Sequence, residues 1–301
     1  MTKEHQMQIL EKCTLCPHEC KVNRIKGEKG RCKADSTIKI SLADLHFFEE
    51  PCISGKNGSG TVFFTGCNMN CKFCQNYEIS QLCKGKVLSA EELANEFLKL
   101  QKKSANNINL VTGCIYVPQI IEALKLAKNQ GLTIPVVYNS SGYEKKETIQ
   151  MLDGYIDIYL PDFKYYYNDL AKDLSGINNY FEVATEAIKE MYKQVGNPVF
   201  DENGIIQKGW IIRHLVLPNH LQNSKQVLKW IKKNMNSRIF VSVMAQYFPE
   251  YKALETEDIN RKLTEEEYSE IKTYVEKLGI QNGYMQEIEE NEEKYVPEWD
   301  I

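Results

Sequence analysis

Cys67, Cys71 and Cys74 carry the densest chemistry in the chain. They lie in the run Gly66-Cys67-Asn68-Met69-Asn70-Cys71-Lys72-Phe73-Cys74-Gln75-Asn76. A cubane iron–sulfur cluster held by four thiolates is coordinatively full and suits electron transfer, whereas three thiolates leave one iron with an open position. The rival chemistry is a zinc site completed by Cys52 or Cys83. Zinc loops come more often as two separated Cys-x2-Cys pairs, so Cys-x3-Cys-x2-Cys with an aromatic before its third cysteine favours the cluster. A second group, Cys13-x2-Cys16-x3-Cys20 followed by Cys32, offers four thiolates in a segment too polar to build its own core. Pro17, Gly27 and Gly30 supply the turns that gather separated ligands. Four thiolates fit tetrahedral zinc or a second, fully ligated iron–sulfur cluster, and these alternatives stay open.

These loops need a scaffold. From Thr61 onward, β-branched or aromatic runs alternate with stretches of helical period, the pattern of βα units around a parallel sheet. The strand candidates are 61–65, 108–112, 134–139, 156–163, 210–217 and 239–245. Amphipathic segments fall at 89–102, 118–129, 145–152, 180–195, 224–234 and 264–278. Ser89-Ala-Glu-Glu and Thr264-Glu-Glu-Glu read as capped helix starts. Six units predict an α/β fold, a partial (β/α)6 TIM-like barrel with its site at the carboxyl ends of the strands. Residues 1–60 are predicted to form a loop-rich, cysteine-rich, metal-bound extension. Residues 61–286 form the barrel, and 287–301 an acidic tail docked by Tyr295, Pro297 and Trp299.

With 301 residues, 43% of them hydrophobic, the chain can bury a sizeable core. A net charge of -4 without basic runs argues against nucleic acid as a partner. The start, Met-Thr-Lys-Glu-His-Gln, lacks a signal peptide's apolar stretch, and no window reaches the length of a membrane span. A cytoplasmic location without a membrane partner is expected. Ten cysteines in such a reducing compartment are read as metal ligands before disulfides.

The three-cysteine loop resembles that of the radical S-adenosylmethionine superfamily. Pro51-Cys52-Ile53-Ser54-Gly55, Gly58-Ser59-Gly60-Thr61 and Tyr77-Glu78-Ile79-Ser80 are similar to the branch of proteins related to the pyruvate formate-lyase activating enzyme. So are Asn109-Leu110-Val111-Thr112, Tyr138-Asn139-Ser140-Ser141-Gly142-Tyr143, the run from Asp157 to Lys164, Arg213-His214-Leu215-Val216-Leu217-Pro218 and Met244-Ala245-Gln246-Tyr247. Where similar sequences have Pro-Thr-His after the second strand, this chain has Gly113-Cys114-Ile115. The resemblance implies a [4Fe-4S] cluster on Cys67, Cys71 and Cys74 that reductively cleaves S-adenosylmethionine to a 5'-deoxyadenosyl radical for hydrogen abstraction. It also implies an electron donor such as flavodoxin or ferredoxin, and a glycyl radical enzyme as substrate. A small molecule or another protein side chain is the alternative substrate, and a non-catalytic zinc scaffold the alternative from another class.

Asp162 and Lys164, two apart on a strand, share a face, and the resemblance places this Asp-x-Lys in the cofactor and substrate pocket as its catalytic pair. A solvent-exposed ion pair is the plainer reading. Asn139 and Ser141 are candidates for ribose or a monovalent cation, or else turn formers. By resemblance Arg213 reaches the cofactor's ribose or carboxylate, Thr112 and Gly113 bind its amino group through the backbone, and Phe73 lies against adenine. Met244 and Gln246 share a face that would wall the adenine side. His214, of opposite parity to Arg213, is expected to pack against a helix.

Overall fold

The computed structural model describes residues 8–235, 239–288 and 296–299. Its frame is an arc of parallel strands: β2 (Ser59–Phe64), β4 (Ile108–Val111), β5 (Val136–Ser140), β6 (Ile158–Pro161), β8 (Ile206–Trp210) with its continuation β9 (Ile212–Leu215), and β10 (Val241–Met244). Each predicted strand is present with its ends shifted by a few residues, and the fifth is split into β8 and β9. β6 pairs in parallel with β8, and a bridge between Asp162 and Arg213 carries the pairing on to β9, which pairs with β10. The arc is thus continuous through one crossing strand. Inward side chains such as Val137, Ile158, Leu160 and Ile211 form a small core beneath the mouth. The outward faces pack under helices in the main core. Burial on both faces explains why the strands read as near-continuous apolar runs.

The predicted helices appear as α4 (Ala90–Lys102), α5 (Val117–Asn129), α6 (Lys146–Met151), α8 (Tyr180–Val195), α9 (Leu221–Asn234) and α10 (Glu265–Leu278). Ser89 and Thr264 both close capping boxes, with Glu92 and Glu267 reaching back to the cap backbone. Short helices at 8–11 (α1), Pro51–Ser54 (α2) and Tyr77–Ser80 (α3) complete the set, with α7 (Asn168–Ser175) in the loop after β6.

The first sixty residues are less loop-rich than expected. β1 (Ile38–His46) runs antiparallel to β2 and carries β3 (Lys86–Leu88) on its other edge. Its alternation, Ile38-Lys39-Ile40, marks a strand buried on one side. At the far end β11 (Gly283–Met285) adds a parallel strand to β10, and β7 (Val199–Phe200) hairpins onto β8. Tyr295 lies outside the described residues, as does much of the predicted tail. Within it, Trp299 meets Phe63 edge-on at 5.1 Å. No helix among the described residues is long and apolar enough to cross a membrane.

Candidate active site

The carboxyl ends of the strands open into a cavity of about 560 Å³. Gly66, in the left-handed conformation (φ 80), turns the chain out of β2. It sits so close to the carbonyl of Cys32 that a Cβ there would come within 2.7 Å of it. The loop that follows puts Cys67, Cys71 and Cys74 on one wall of the cavity. Neighbours fix it: the amides of Asn70 and Lys72 donate to the carbonyls of Ser175 and Leu174, and Asn68 donates to the carbonyl of Tyr143 at 2.6 Å.

Each thiol has a polar neighbour. The Met69 amide donates to Cys67 Sγ at 3.4 Å, Ser175 Oγ donates to Cys71 Sγ at 3.0 Å, and Ser80 Oγ lies 3.1 Å from Cys74 Sγ. Burial pushes all three thiols up as free groups, Cys74 to about 11, so a metal must drive the protons off. Among the described residues no three His, Cys, Asp or Glu side chains close around a point able to hold one metal ion. A four-iron cube gives each thiolate a different iron, so three thiols facing one cavity with hydrogen-bond donors behind them suit it. The donor set therefore fits a [4Fe-4S] cluster, which Cys67, Cys71 and Cys74 would hold.

Facing the thiols is a buried ionic network. Lys164 Nζ donates to Asp162 Oδ2 at 2.6 Å, and Arg213 Nε to Asp162 Oδ1 at 2.9 Å. Arg213 Nη2 donates to Asn139 Oδ1 at 2.6 Å and Nη1 to Glu49 Oε2 at 3.1 Å. Burial alone would raise the Asp162 carboxyl, but the cations of Lys164 and Arg213 outweigh it and hold that carboxyl below its usual value. Burial dominates at Glu49 and lifts it above the ordinary carboxylate range despite Arg213. On Lys164, burial is outweighed by Asp162 and Cys71, and its pKa rises. The ammonium thus stands charged between the aspartate and the thiol loop. The exposed ion pair of the plainer reading is not what the structure contains, since both side chains are largely buried.

Of the other candidates, Phe73, Thr112, Asn139, Ser141, Arg213, Met244 and Gln246 all line the cavity. Phe73 meets Tyr247 edge-on at 6.1 Å. Thr112 adopts the left-handed conformation, φ 60. Gln246 is fixed by Gln286 Nε2 on its side chain and Gln75 Nε2 on its carbonyl. Gly113 is placed differently: a Cβ there would meet Ile120 of α5 at 2.6 Å, so its open side faces the helix layer and it is not among the lining residues. The left-handed turn at Thr112 rotates it away. His214 is buried with Nδ1 2.7 Å from the Phe163 carbonyl, and burial lowers its pKa to about 4.

Glu49 and Glu50 were missing from the sequence-derived set. They enter from the segment after β1, where Glu49 also accepts from Asn109 at 3.0 Å, and Glu50 Oε2 is buried without a partner among the described residues. Two consecutive acids before Pro51, at the head of a buried helix, were the available signal. Tyr180 was missed as well; its hydroxyl accepts from the Lys164 amide at 2.9 Å and donates to the carbonyl of Ser141 at 2.9 Å. Nothing in the sequence singles it out from other helix aromatics.

A parallel barrel arc carries a three-thiol loop above its carboxyl ends and an ionic network across the mouth, the layout of an enzyme site able to hold a thiolate-bound cluster. The chain belongs to the radical SAM superfamily, whose model matches residues 61–203. An uncharacterized protein of Methanocaldococcus jannaschii (MJ0674) is 36% identical over 280 residues, covering 90% of this chain and 76% of that protein. The pyruvate formate-lyase-activating enzyme of Clostridium pasteurianum is 28% identical over 182 residues, 59% of this chain and 69% of that enzyme. Among solved structures, SuiB of Streptococcus suis bound to S-adenosylmethionine is similar over 73% of this chain and 48% of its own, at 15% identity and a TM-score of 0.49. Methylornithine synthase (PylB) is similar over 70% of this chain and 58% of its own, at 16% identity and a TM-score of 0.47. The family implies a [4Fe-4S] cluster and S-adenosylmethionine as cofactors.

Proposed function

We propose that this chain is a radical enzyme that abstracts hydrogen from a glycyl residue of a partner protein. Cys67, Cys71 and Cys74 would hold the [4Fe-4S] cluster, which would supply the electron for cleaving S-adenosylmethionine to methionine and the 5'-deoxyadenosyl radical. The observation that carries this reading is the convergence of the three thiols and the Lys164–Asp162–Arg213 network on one cavity. Lys164 offers a positive charge for a carboxylate, and Asp162 and Asn139 accept from hydroxyls. Tyr180 locks the backbone at Lys164, so the pair is held before any ligand arrives. Phe73 and Met244 give the cavity apolar walls that keep water from a radical.

The glycyl substrate is supported by the likeness to the Clostridium pasteurianum enzyme, together with the motifs along most of the chain. Electrons would come from a small donor protein such as flavodoxin or ferredoxin. A second reading, hydrogen abstraction from a small molecule, is favoured by Glu50, whose unpartnered carboxylate oxygen lies in the cavity wall and suits a cationic or N–H-bearing ligand.

The test is anaerobic reconstitution, reduction, and chromatographic measurement of 5'-deoxyadenosine. A fully loaded, reduced protein that binds S-adenosylmethionine and forms no 5'-deoxyadenosine would remove the enzyme reading. With a glycyl radical enzyme labelled with deuterated glycine, deuterium in the 5'-deoxyadenosine supports the protein substrate. Cofactor cleavage without label transfer or a glycyl electron-spin doublet points to the small molecule.

A further inference from the structure

Behind the catalytic loop lies a second group of thiols that the proposed reaction does not use. Cys16 lies within electrostatic reach of Cys13, Cys20 and Cys32, and Cys32 within reach of Cys13 and Cys20; Gly30, two residues before Cys32, packs so closely on Cys20 that a Cβ there would come within 2.8 Å of its Sγ. Three of the four are buried, and only Cys20 is exposed. They sit on tight turns. Glu19, Lys21 and Lys33 are non-glycine residues in the left-handed conformation, and the Cys13 and Lys21 amides donate to the Val22 and Cys13 carbonyls. Main-chain groups turn toward sulfur: His18 bonds Cys16, Ala34 bonds Cys32, and the Arg31 amide donates to Cys20 Sγ at 3.4 Å. Among the described residues Leu10 and Leu15 join Cys13 as a small buried cluster, with Ile9, Val22 and Met151 packed against it.

The independent observation is Arg24. Its side chain is 1% exposed. It donates to the carbonyls of Asp35 and Ile115, and Nη1 lies 4.0 Å from Cys13 Sγ. No carboxylate pairs with it in the ion pairs found among the described residues. Beside these carbonyls and the Tyr116 ring, which lies 5.8 Å from its guanidinium carbon, Arg24 still gains from an anionic neighbour, and thiolates bound to a metal core with fewer positive charges than ligands supply one. Four neutral thiols would not.

We propose that Cys13, Cys16, Cys20 and Cys32 hold a second, fully ligated iron–sulfur cluster, with Arg24 as its buried counter-ion. Four neighbouring thiols on turns that aim amides at sulfur are the ligand set of such a cluster. The centre abuts the catalytic loop. His18 Nε2 lies 2.7 Å from the Asn68 carbonyl, and Cys32 presses its carbonyl on Gly66. Arg31 donates to the Gly176 carbonyl at 3.1 Å, beside the serine that serves Cys71. The buried Cys114 lies within electrostatic reach of Cys67, Cys16 and Cys32.

The experiment is iron, sulfide and zinc analysis of the full chain carrying Cys67→Ala, Cys71→Ala and Cys74→Ala, purified and reconstituted without oxygen and confirmed folded by circular dichroism. About four irons and four sulfides per chain are expected, with loss of both when Cys16→Ala and Cys32→Ala are added. Zinc in place of iron, or no metal, overturns the proposal. Should the triple variant not fold, the wild-type chain decides. About eight irons after reconstitution support the proposal, and about four overturn it.

Discussion

Arg213→Met tests the network across the cavity mouth. It removes a guanidinium that donates to Asp162, Asn139 and Glu49 at 2.9, 2.6 and 3.1 Å, and it leaves two buried carboxylates facing each other. Removing one partner of a buried ion pair costs about 3–5 kcal/mol. The low end applies, because Asp162 keeps Lys164 and Glu49 keeps Asn109 and Asn139. At about 2 °C per kcal/mol for a chain of this size, the melting midpoint should fall by about 6 °C. The sign of the pH dependence follows from linkage. Without the cation Glu49, already raised by burial, rises further and Asp162 loses part of what holds it down, so the folded state holds protons that the unfolded state has released. Stability is then lost as pH rises through that window, and the deficit should be larger at pH 8 than at pH 5. Thermal melts of the metal-free variant and wild type by circular dichroism at both pH values measure it. A fall of under about 2 °C, or a deficit equal at both pH values, would refute this account.

Alanine at Cys67, Cys71 or Cys74 should each abolish 5'-deoxyadenosine, and turnover by Cys71→Ala would remove the assignment. Lys164→Ala should weaken S-adenosylmethionine binding by about tenfold or more, the loss of one buried charge-assisted contact, while the loop's iron stays unchanged. Equilibrium binding beside iron analysis checks it, and unchanged affinity would make the pair structural. Gly142→Ala should destabilise by about 2 kcal/mol or more, because φ is 78 and a Cβ would run into the Asp162 carbonyl; an unchanged melting midpoint would contradict this. Burial lifts Glu144 to about 7, while Ser140 and Tyr138 hydrogen-bond it. Its folded pKa exceeds the unfolded value of about 4.3, so stability should fall between those values as pH rises. Glu144→Gln should flatten that slope in melts from pH 4.5 to 7.5, and an equal slope would show that Glu144 does not titrate there.

The sequence by itself determined the βα alternation, the capping boxes at Ser89 and Thr264, and the placement of the three-cysteine loop after the first parallel strand. These are local properties, set by side-chain period, cap chemistry and ligand spacing, and each is complete within a short window of chain. Strand parity also put Asp162 and Lys164 on one face, while Arg213 entered the candidate set only through the family resemblance. Tertiary structure decided what those side chains meet. Glu49 joins Arg213 across 164 positions, and only the antiparallel return of β1 and the turn into Pro51 bring it into the barrel. Gly113 shows the reverse: expected at the cofactor beside Thr112, it follows a left-handed turn at Thr112 and its Cβ side meets Ile120 of the helix layer. Arg24, one of many basic residues by composition, acquires meaning only from the burial that strips it of water beside Cys13. Such pairings join groups far apart in sequence through close approach and desolvation, and neither leaves a periodic trace in the chain.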